Sequence, residues 1–488
     1  MSATARAVAL GAPTVSAPLT STHCLQLLDY FRVPHAVVPD ARGSGLATLR
    51  AGTENALHWP RGGSRRPQML RLRDIPLCAT LMPDAETRIA RAALGSGWSA
   101  EWPVTDARGE RVASVWRSRE GSVLLPFDPD EAVRACWTEG YREAAGGSAA
   151  KRRAGAVARA AYYAARPLLP RSGQLALRRA FSRVQARAPF PRWPFEPALH
   201  DLYEFVFARA AEVAGGPLPG IAPWPHGKRW ALVLTHDVET AAGRDSVHVL
   251  RDVEAALGYR SSWNFVPRRY ADAPELRDAL TGAGFEVGLH GLYHDGRDLA
   301  PRTFEKRLPE MREYAARWQV SGFRSPATHR DWERMPRLGV DYDTSYTDSA
   351  PFEPQAGGCC TWLPYENGPL VELPITLVQD HTLFEILGHA DERLWVEKAE
   401  LLRARGGMAL VLTHPDYMLA ADRVAAYRRL LDRFAADPSA WRALPREVST
   451  WWRRRAASEL VREHGEWRVA GPAAPDAGVE LLGSEAVR

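Results

Sequence analysis

Cysteine is scarce in this chain: five in 488 residues (Cys24, Cys78, Cys136, Cys359 and Cys360), an odd number with no C-x-x-C spacing. That argues against a disulfide framework or a cysteine-zinc site and favours a reducing compartment. The vicinal Cys359-Cys360 pair lies in a glycine-flanked loop and reads as structural. Long apolar runs are also missing, and none approaches the roughly 18 residues of a membrane-spanning helix. Gly11 and Pro13 interrupt the only stretch that resembles a secretory signal, so the expected location is the cytoplasm. Acidic residues vanish between Lys151 and Arg192, a stretch with eleven Lys and Arg, although the chain as a whole carries only +5. No nucleic-acid-binding motif accompanies this charge, and no nucleic-acid partner is expected.

What is present reads as two or three domains. Residues 1–145 are expected to form a small mixed α/β domain. Its elements are a helix over 25–31, strands at 36–38 and 121–126, and a helix started by Asp128 with Pro129 in its first turn. Residues 146–229 read as a basic, Ala/Arg-rich connector with helices. Between Lys151 and Arg187, aromatic and aliphatic positions alternate with Arg at helical spacing. This suits either a solvated connector or a helix pair packed on its own domain, or else contact with an anionic membrane surface or an acidic glycan. From 230 to 455, apolar strand-like segments (231–235, 262–266, 286–289, 320–324, 370–374, 408–413) alternate with helical patterns (246–257, 274–283, 303–319, 391–405, 421–435, 445–455). That alternation predicts an α/β domain built on a largely parallel sheet or barrel. Residues 456–488, rich in Pro, Ala and Gly from Glu466 on, read as a peripheral tail.

The chemistry concentrates where apolar runs end. Trp230-Ala231-Leu232-Val233-Leu234 runs into Thr235-His236-Asp237-Val238-Glu239. Some fifty residues later, Glu286-Val287-Gly288-Leu289 runs into His290-Gly291-Leu292-Tyr293-His294. Buried parallel strands deliver side chains to the carboxyl end of an α/β core in this way. Two imidazoles and one carboxylate form a three-ligand set that leaves a position open, as catalytic rather than structural zinc requires. Asp237 and Glu239 are two apart and share a strand face, whereas His236 faces away and is the rival ligand. Arg324, in Gly322-Phe323-Arg324-Ser325-Pro326, and His414, after Leu410-Val411-Leu412-Thr413, each place one polar group at a strand end.

In order and spacing, these four segments resemble the motifs of the polysaccharide deacetylase family, the NodB-homology domain of carbohydrate esterase family 4. The family shows T-F-D-D-G, H-[ST]-x-x-H, R-x-P-[YW] and L-x-x-H. Here they are Thr235–Glu239, His290–His294, Arg324–Ala327 and Val411–His414. A preceding accessory domain and a T-H-D-V-[DE] first motif resemble a bacterial subgroup. The resemblance implies a distorted (β/α) barrel and covers under half of the chain. The departures are His236 for Phe, Val238 for the second Asp with Glu239 one step later, Gly291 for Ser/Thr, and Ala327 for an aromatic.

The resemblance implies removal of an N-acetyl group from an amino sugar in a glycan or glycan precursor. A divalent metal would be held by Glu239, His290 and His294. Asp237 would be the base, Arg324 its partner and His414 the acid, with Asp416 or a more distant carboxylate tuning His414. A backbone N–H near Tyr346 or Asp348 would face the oxyanion. Zinc suits the donor set best, and cobalt, manganese, nickel and iron are alternatives. Other readings are hydrolysis of a non-sugar amide or an O-acetyl ester, or a degenerate glycan-binding scaffold.

Overall fold

The computed structural model describes residues 19–40, 45–52, 54–62, 66–145 and 171–484. Residues 151–170 of the basic stretch lie outside them.

The carboxyl-terminal half is organised around strands β1 (Trp230–Val238), β2 (Ser262–Phe265), β3 (Glu286–Leu289), β4 (Gly322–Phe323), β5 (Tyr342–Asp343), β6 (Tyr365–Asn367), β7 (Leu370–Glu372), β8 (Met408–Thr413) and β9 (Ala440–Ala443). The sheet order is β6-β7-β5-β4-β3-β2-β1-β8, with β9 also pairing with β1. All pairings are parallel except the short β6–β7 hairpin. The sheet curls. Residues 375–377 extend that curl, because Ile375 N–H donates to Tyr346 O (2.8 Å) while Leu377 N–H donates to Leu410 O (3.0 Å). Main-chain bonds thus reach from the strand-end loop after β5 across to β8.

Helices α1 (Val247–Ala256), α2 (Pro274–Gly282), α3 (Pro301–Arg317), α4 (Arg393–Ala404), α5 (Ala421–Ala435) and α6 (Pro445–Ala456) fill the connections. They fall within a residue or two of the spans read from periodicity. Every residue of β1 and β8 is buried, which explains their unbroken apolar text. Three strands escaped the sequence reading: β5, β6 and β9.

The amino-terminal region is more sheet than expected. Nine strands form one mostly antiparallel sheet in the residue order 35–37, 19–21, 46–50, 56–60, 123–124, 111–117, 99–105, 68–72, 75–79. Strands such as Ser99–Thr105 and Arg111–Arg117 are exposed along much of their length and carry Pro and charge. This weakens the alternation that betrays a strand. The helix at Pro129–Trp137 begins as read: Asp128 accepts from the Asp130 N–H, with Pro129 next.

The two halves share a core. A largely buried helix, Ala198–Ala214, packs Leu199, Leu202, Tyr203, Val206 and Phe207 into the amino-terminal cluster. Trp137 stacks on Tyr365 of β6 at 5.1 Å. Arg330 donates through Nε to Glu139 Oε1 at 2.9 Å, and both are buried. The terminal residues return to this junction: strand Val479–Leu482 pairs antiparallel with Leu218–Ile221, so the stretch read as a peripheral tail ends in a sheet. Among the described residues, no helix is long and apolar enough to cross a membrane.

Candidate active site

The functional side chains sit at the carboxyl ends of β1, β2, β3, β4 and β8. On β1 the alternation turns Thr235, Asp237 and, just past the strand, Glu239 to the inside, and His236 to the outside. His236 is fully enclosed and has a partner on each nitrogen: Nδ1 lies 2.8 Å from Thr413 Oγ1 and Nε2 lies 2.7 Å from Glu254 Oε1. Its ring stacks on Trp263 at 4.0 Å. Both of its ligating atoms are engaged elsewhere.

Glu239, His290 and His294 converge, with one donor atom from each lying within 4.8 Å of the others. Glu239 Oε1 is 2.7 Å from His294 Nε2 and 3.6 Å from His290 Nε2. His290 Nδ1 lies 3.0 Å from Arg324 O, and a carbonyl only accepts, so Nδ1 carries the hydrogen. In the neutral ring, Nε2 is then left with a lone pair. That nitrogen is buried without a hydrogen-bond partner, facing Glu239 Oε1 and, at 3.7 Å, Asp237 Oδ2. An orphaned buried acceptor turned toward two carboxylates is what a cation would satisfy. The donor set therefore fits a divalent metal.

His294 is set differently. Its backbone is left-handed (φ 56°), and Arg269 Nη1 lies 2.5 Å from its Nδ1. A guanidinium has no acceptor, so Nδ1 accepts and Nε2 points its hydrogen at Glu239. Gly291, the departure in this motif, has a physical reason. Its φ is +60°, and a Cβ there would lie 2.3 Å from Asp298 Oδ2 and 2.6 Å from Pro326 Cγ.

Asp237 is enclosed and held from two sides. Its β2 neighbour in register, Asn264, donates through Nδ2 to Oδ1 at 2.9 Å, and Arg324 Nη1 lies 3.6 Å from Oδ2. Arg324 has no exposed surface and is locked by Nε to Thr344 Oγ1 (2.8 Å) and Nη2 to Thr235 Oγ1 (2.9 Å). Burial pushes the Asp237 carboxyl up, but Arg324, then His290 and His414, outweigh it and leave it below the usual range. At Glu239 burial is likewise opposed, here by the facing imidazoles of His290, His294 and His414, and the net shift is well downward.

His414 follows β8 and enters from the opposite side, with Nε2 3.5 Å from Glu239 Oε1. Its partner is Asp380, whose Oδ1 lies 2.6 Å from Nδ1 and whose Oδ2 accepts the His414 N–H at 2.6 Å. Burial disfavours the imidazolium, but Asp380 and then Glu239 reverse this and hold it well above the ordinary value. Asp416, the nearer candidate from the sequence, instead accepts from Thr240 Oγ1 at 2.8 Å. The expectation of an oxyanion donor at Asp348 is corrected: its N–H already donates to Ile375 O, and its carboxylate pairs with buried Lys398 at 2.7 Å.

Two contributors went unread in the sequence, Asn264 and Asp380. Asn264 lies within the short strand β2, and Asp380 lies just before the turn His381–Ile386. A polar side chain inside or just after an apolar run was the available signal.

No family model matches this sequence, and no curated protein is significantly similar to it. Solved structures do align with about half of the chain. One, from Mycobacterium smegmatis and assigned as a polysaccharide deacetylase, is 20% identical; the match covers 50% of this chain and 98% of that one, with a TM-score of 0.41. A second, from Pseudomonas aeruginosa PAO1 and likewise assigned, is 17% identical over 52% and 97%, with a TM-score of 0.39. The allantoinase Puue aligns at 17% identity over 47% and 92%, with a TM-score of 0.38.

Proposed function

We propose that this chain is a metal-dependent N-deacetylase of the polysaccharide deacetylase family, acting on an amino sugar in a bacterial glycan or glycan precursor. The observation that carries the reading is the convergence of three groups around one point. These are a convergent donor set (Glu239, His290, His294), a guanidinium-held carboxylate (Asp237–Arg324) and, from the other side, a carboxylate-held imidazole (His414–Asp380). Amide hydrolysis needs this opposition, because water must lose a proton and an amine leaves only after gaining one.

When bound, a divalent cation, zinc first, supplies acidification of water and polarisation of the scissile carbonyl. The chain's own groups do the rest. Asp237 accepts the proton of the attacking water at the carboxylate oxygen not bonded to Asn264. Arg324 and Asn264 keep that carboxylate ionised and aimed. His414 delivers a proton from Nε2 to the departing nitrogen, while Asp380 holds Nδ1 and so fixes the ring. The first 145 residues act as an accessory domain, 146–229 as a connecting segment with helices, 230–455 as the catalytic domain and 456–488 as a C-terminal segment whose end pairs with Leu218–Ile221. The setting is the cytoplasm, in surface-polysaccharide assembly.

The test is elemental analysis of the purified chain combined with acetate release from N-acetylated oligosaccharides and lipid-linked sugars. A stoichiometric divalent metal with acetate release supports the proposal. A metal-loaded chain that releases no acetate from any saccharide, but opens a non-sugar amide, overturns it.

A further inference from the structure

The helix Arg171–Gln185 lies along one edge of the site. Arg179 Nε donates to Glu385 O at 2.9 Å, and Arg178 Nη2 donates to Phe352 O at 3.0 Å. Glu385 belongs to the turn His381–Ile386, which begins next to Asp380, the partner of His414. The same turn is tied to the loop after β8, because Arg423 donates to Glu385 Oε1 (2.7 Å) and to Tyr417 O (2.8 Å). The helix is therefore fixed to the acid side of the catalytic face by guanidinium hydrogen bonds to main-chain carbonyls.

Its outer surface is unusual for a solvated face. Phe181 and Val184, one helical turn apart, are 55% and 61% exposed. Exposed Arg183 and Arg187 flank them, and no Asp or Glu occurs anywhere from Lys151 to Arg192. None of Arg178, Arg179, Arg183 and Arg187 has a carboxylate within ion-pairing distance among the described residues. On the neighbouring loop, Leu419 is 52% exposed. A connector face would pair its arginines and hide its phenylalanine. An acidic soluble polymer would account for the arginines but not for two large apolar groups presented between them. An anionic lipid surface takes both: guanidinium groups at the phosphates, and Phe and Val in the acyl boundary.

We propose that this helix docks the protein on an anionic membrane surface, with the catalytic face toward the lipid, so that the acetylated sugar is presented on a lipid carrier. The substrate clause rests on the deacetylase reading; the docking clause does not. Docked this way, Phe181 and Val184 enter the membrane beside the turn that carries Asp380, and a headgroup-linked sugar reaches the site without leaving the surface.

The experiment is co-sedimentation of the full chain with phosphatidylglycerol-containing vesicles, and with phosphatidylcholine vesicles as the neutral control. Binding is expected to the first only. It should fall as salt shortens the Debye length from about 10 Å at 0.1 M to about 3 Å at 1 M. Arg183→Gln and Arg187→Gln should each weaken it about fivefold. Phe181→Ser with Val184→Ser should weaken it further at every salt concentration, a readout that simple charge attraction would not move. Binding that ignores lipid charge, or that survives the arginine and apolar replacements unchanged, overturns the docking surface. So does binding of an acidic polysaccharide in preference to vesicles. A chain that binds vesicles but releases no acetate upholds docking while refuting deacetylation, so the two failures are separable.

Discussion

Asp380 grips His414 twice, facing its Nδ1 at 2.6 Å and accepting its backbone N–H at 2.6 Å. Ring and main chain are thereby fixed by one carboxylate 34 residues away. The arrangement commits Nδ1 to Asp380 and leaves Nε2 as the only nitrogen that can meet a substrate. Asp380→Asn keeps a hydrogen-bonding group there but removes the charge that favours the imidazolium. Because His414 must be protonated to act as an acid, the alkaline limb of the kcat/KM profile should move to lower pH. A profile that loses height without moving would reduce Asp380 to a structural role.

Replacement of Glu239, His290 or His294 by Ala should each lower metal content, since three protein ligands leave no spare. His236→Ala should behave in the opposite way. It leaves Glu254 buried with one partner fewer, which should cost about 1–3 kcal/mol of stability, while metal per folded chain stays near that of the parent. Metal analysis paired with thermal melting separates the cases. A His236 variant without metal would reassign the ligand set.

Arg269 competes with a cation for His294. Its guanidinium occupies Nδ1, which keeps the hydrogen on Nε2, the nitrogen turned toward Glu239. Arg269→Ala should therefore tighten metal binding, by about tenfold on the scale of outer contacts to metal ligands. Competition against a chromophoric chelator measures this directly. Unchanged or weaker affinity would show that Arg269 does not hold the ring in a non-ligating state.

Asp237→Asn should retain metal and lose acetate release by about a hundred- to ten-thousand-fold, because the amide can still accept from Asn264 through its one oxygen but cannot take a proton. Loss of metal in this variant would move Asp237 into the ligand set.

Away from the site, Glu286 at the start of β3 is pushed by burial up to about 7, although it accepts from Tyr342 OH at 2.8 Å and from the Arg446 N–H at 3.1 Å. Its carboxyl is neutral in folded and unfolded chains below about pH 4.5. Above that the unfolded chain ionises first, so the stability this group contributes falls as pH rises toward 7 and then levels off. Glu286→Gln should melt near the parent at pH 5 and above it at pH 8, with a gap of up to about 3 kcal/mol. A gap of equal size at both pH values would contradict this account.

Much was legible in the sequence because buried parallel strands write themselves as unbroken apolar runs with polar ends. β1, β3 and β8 were readable for that reason, and so were the residues at their carboxyl ends. The i, i+2 relation of Asp237 and Glu239 follows from strand geometry alone, as does the outward turn of His236. Tertiary structure alone decided which distant groups meet. Nothing in local spacing selects Asp380 over Asp416 for His414, since that choice depends on residues 375–377 crossing to β8. Asn264 became a partner of Asp237 only through the β1–β2 register. Of the amino-terminal sheet only the strands near 36–38 and 121–126 were read; strands such as Ser99–Thr105 and Arg111–Arg117 are partly exposed, so their period is faint and long-range pairing holds them. Local chemistry is written along the chain. The convergence of that chemistry on one point is set by sheet order and register, which the chain encodes only through packing.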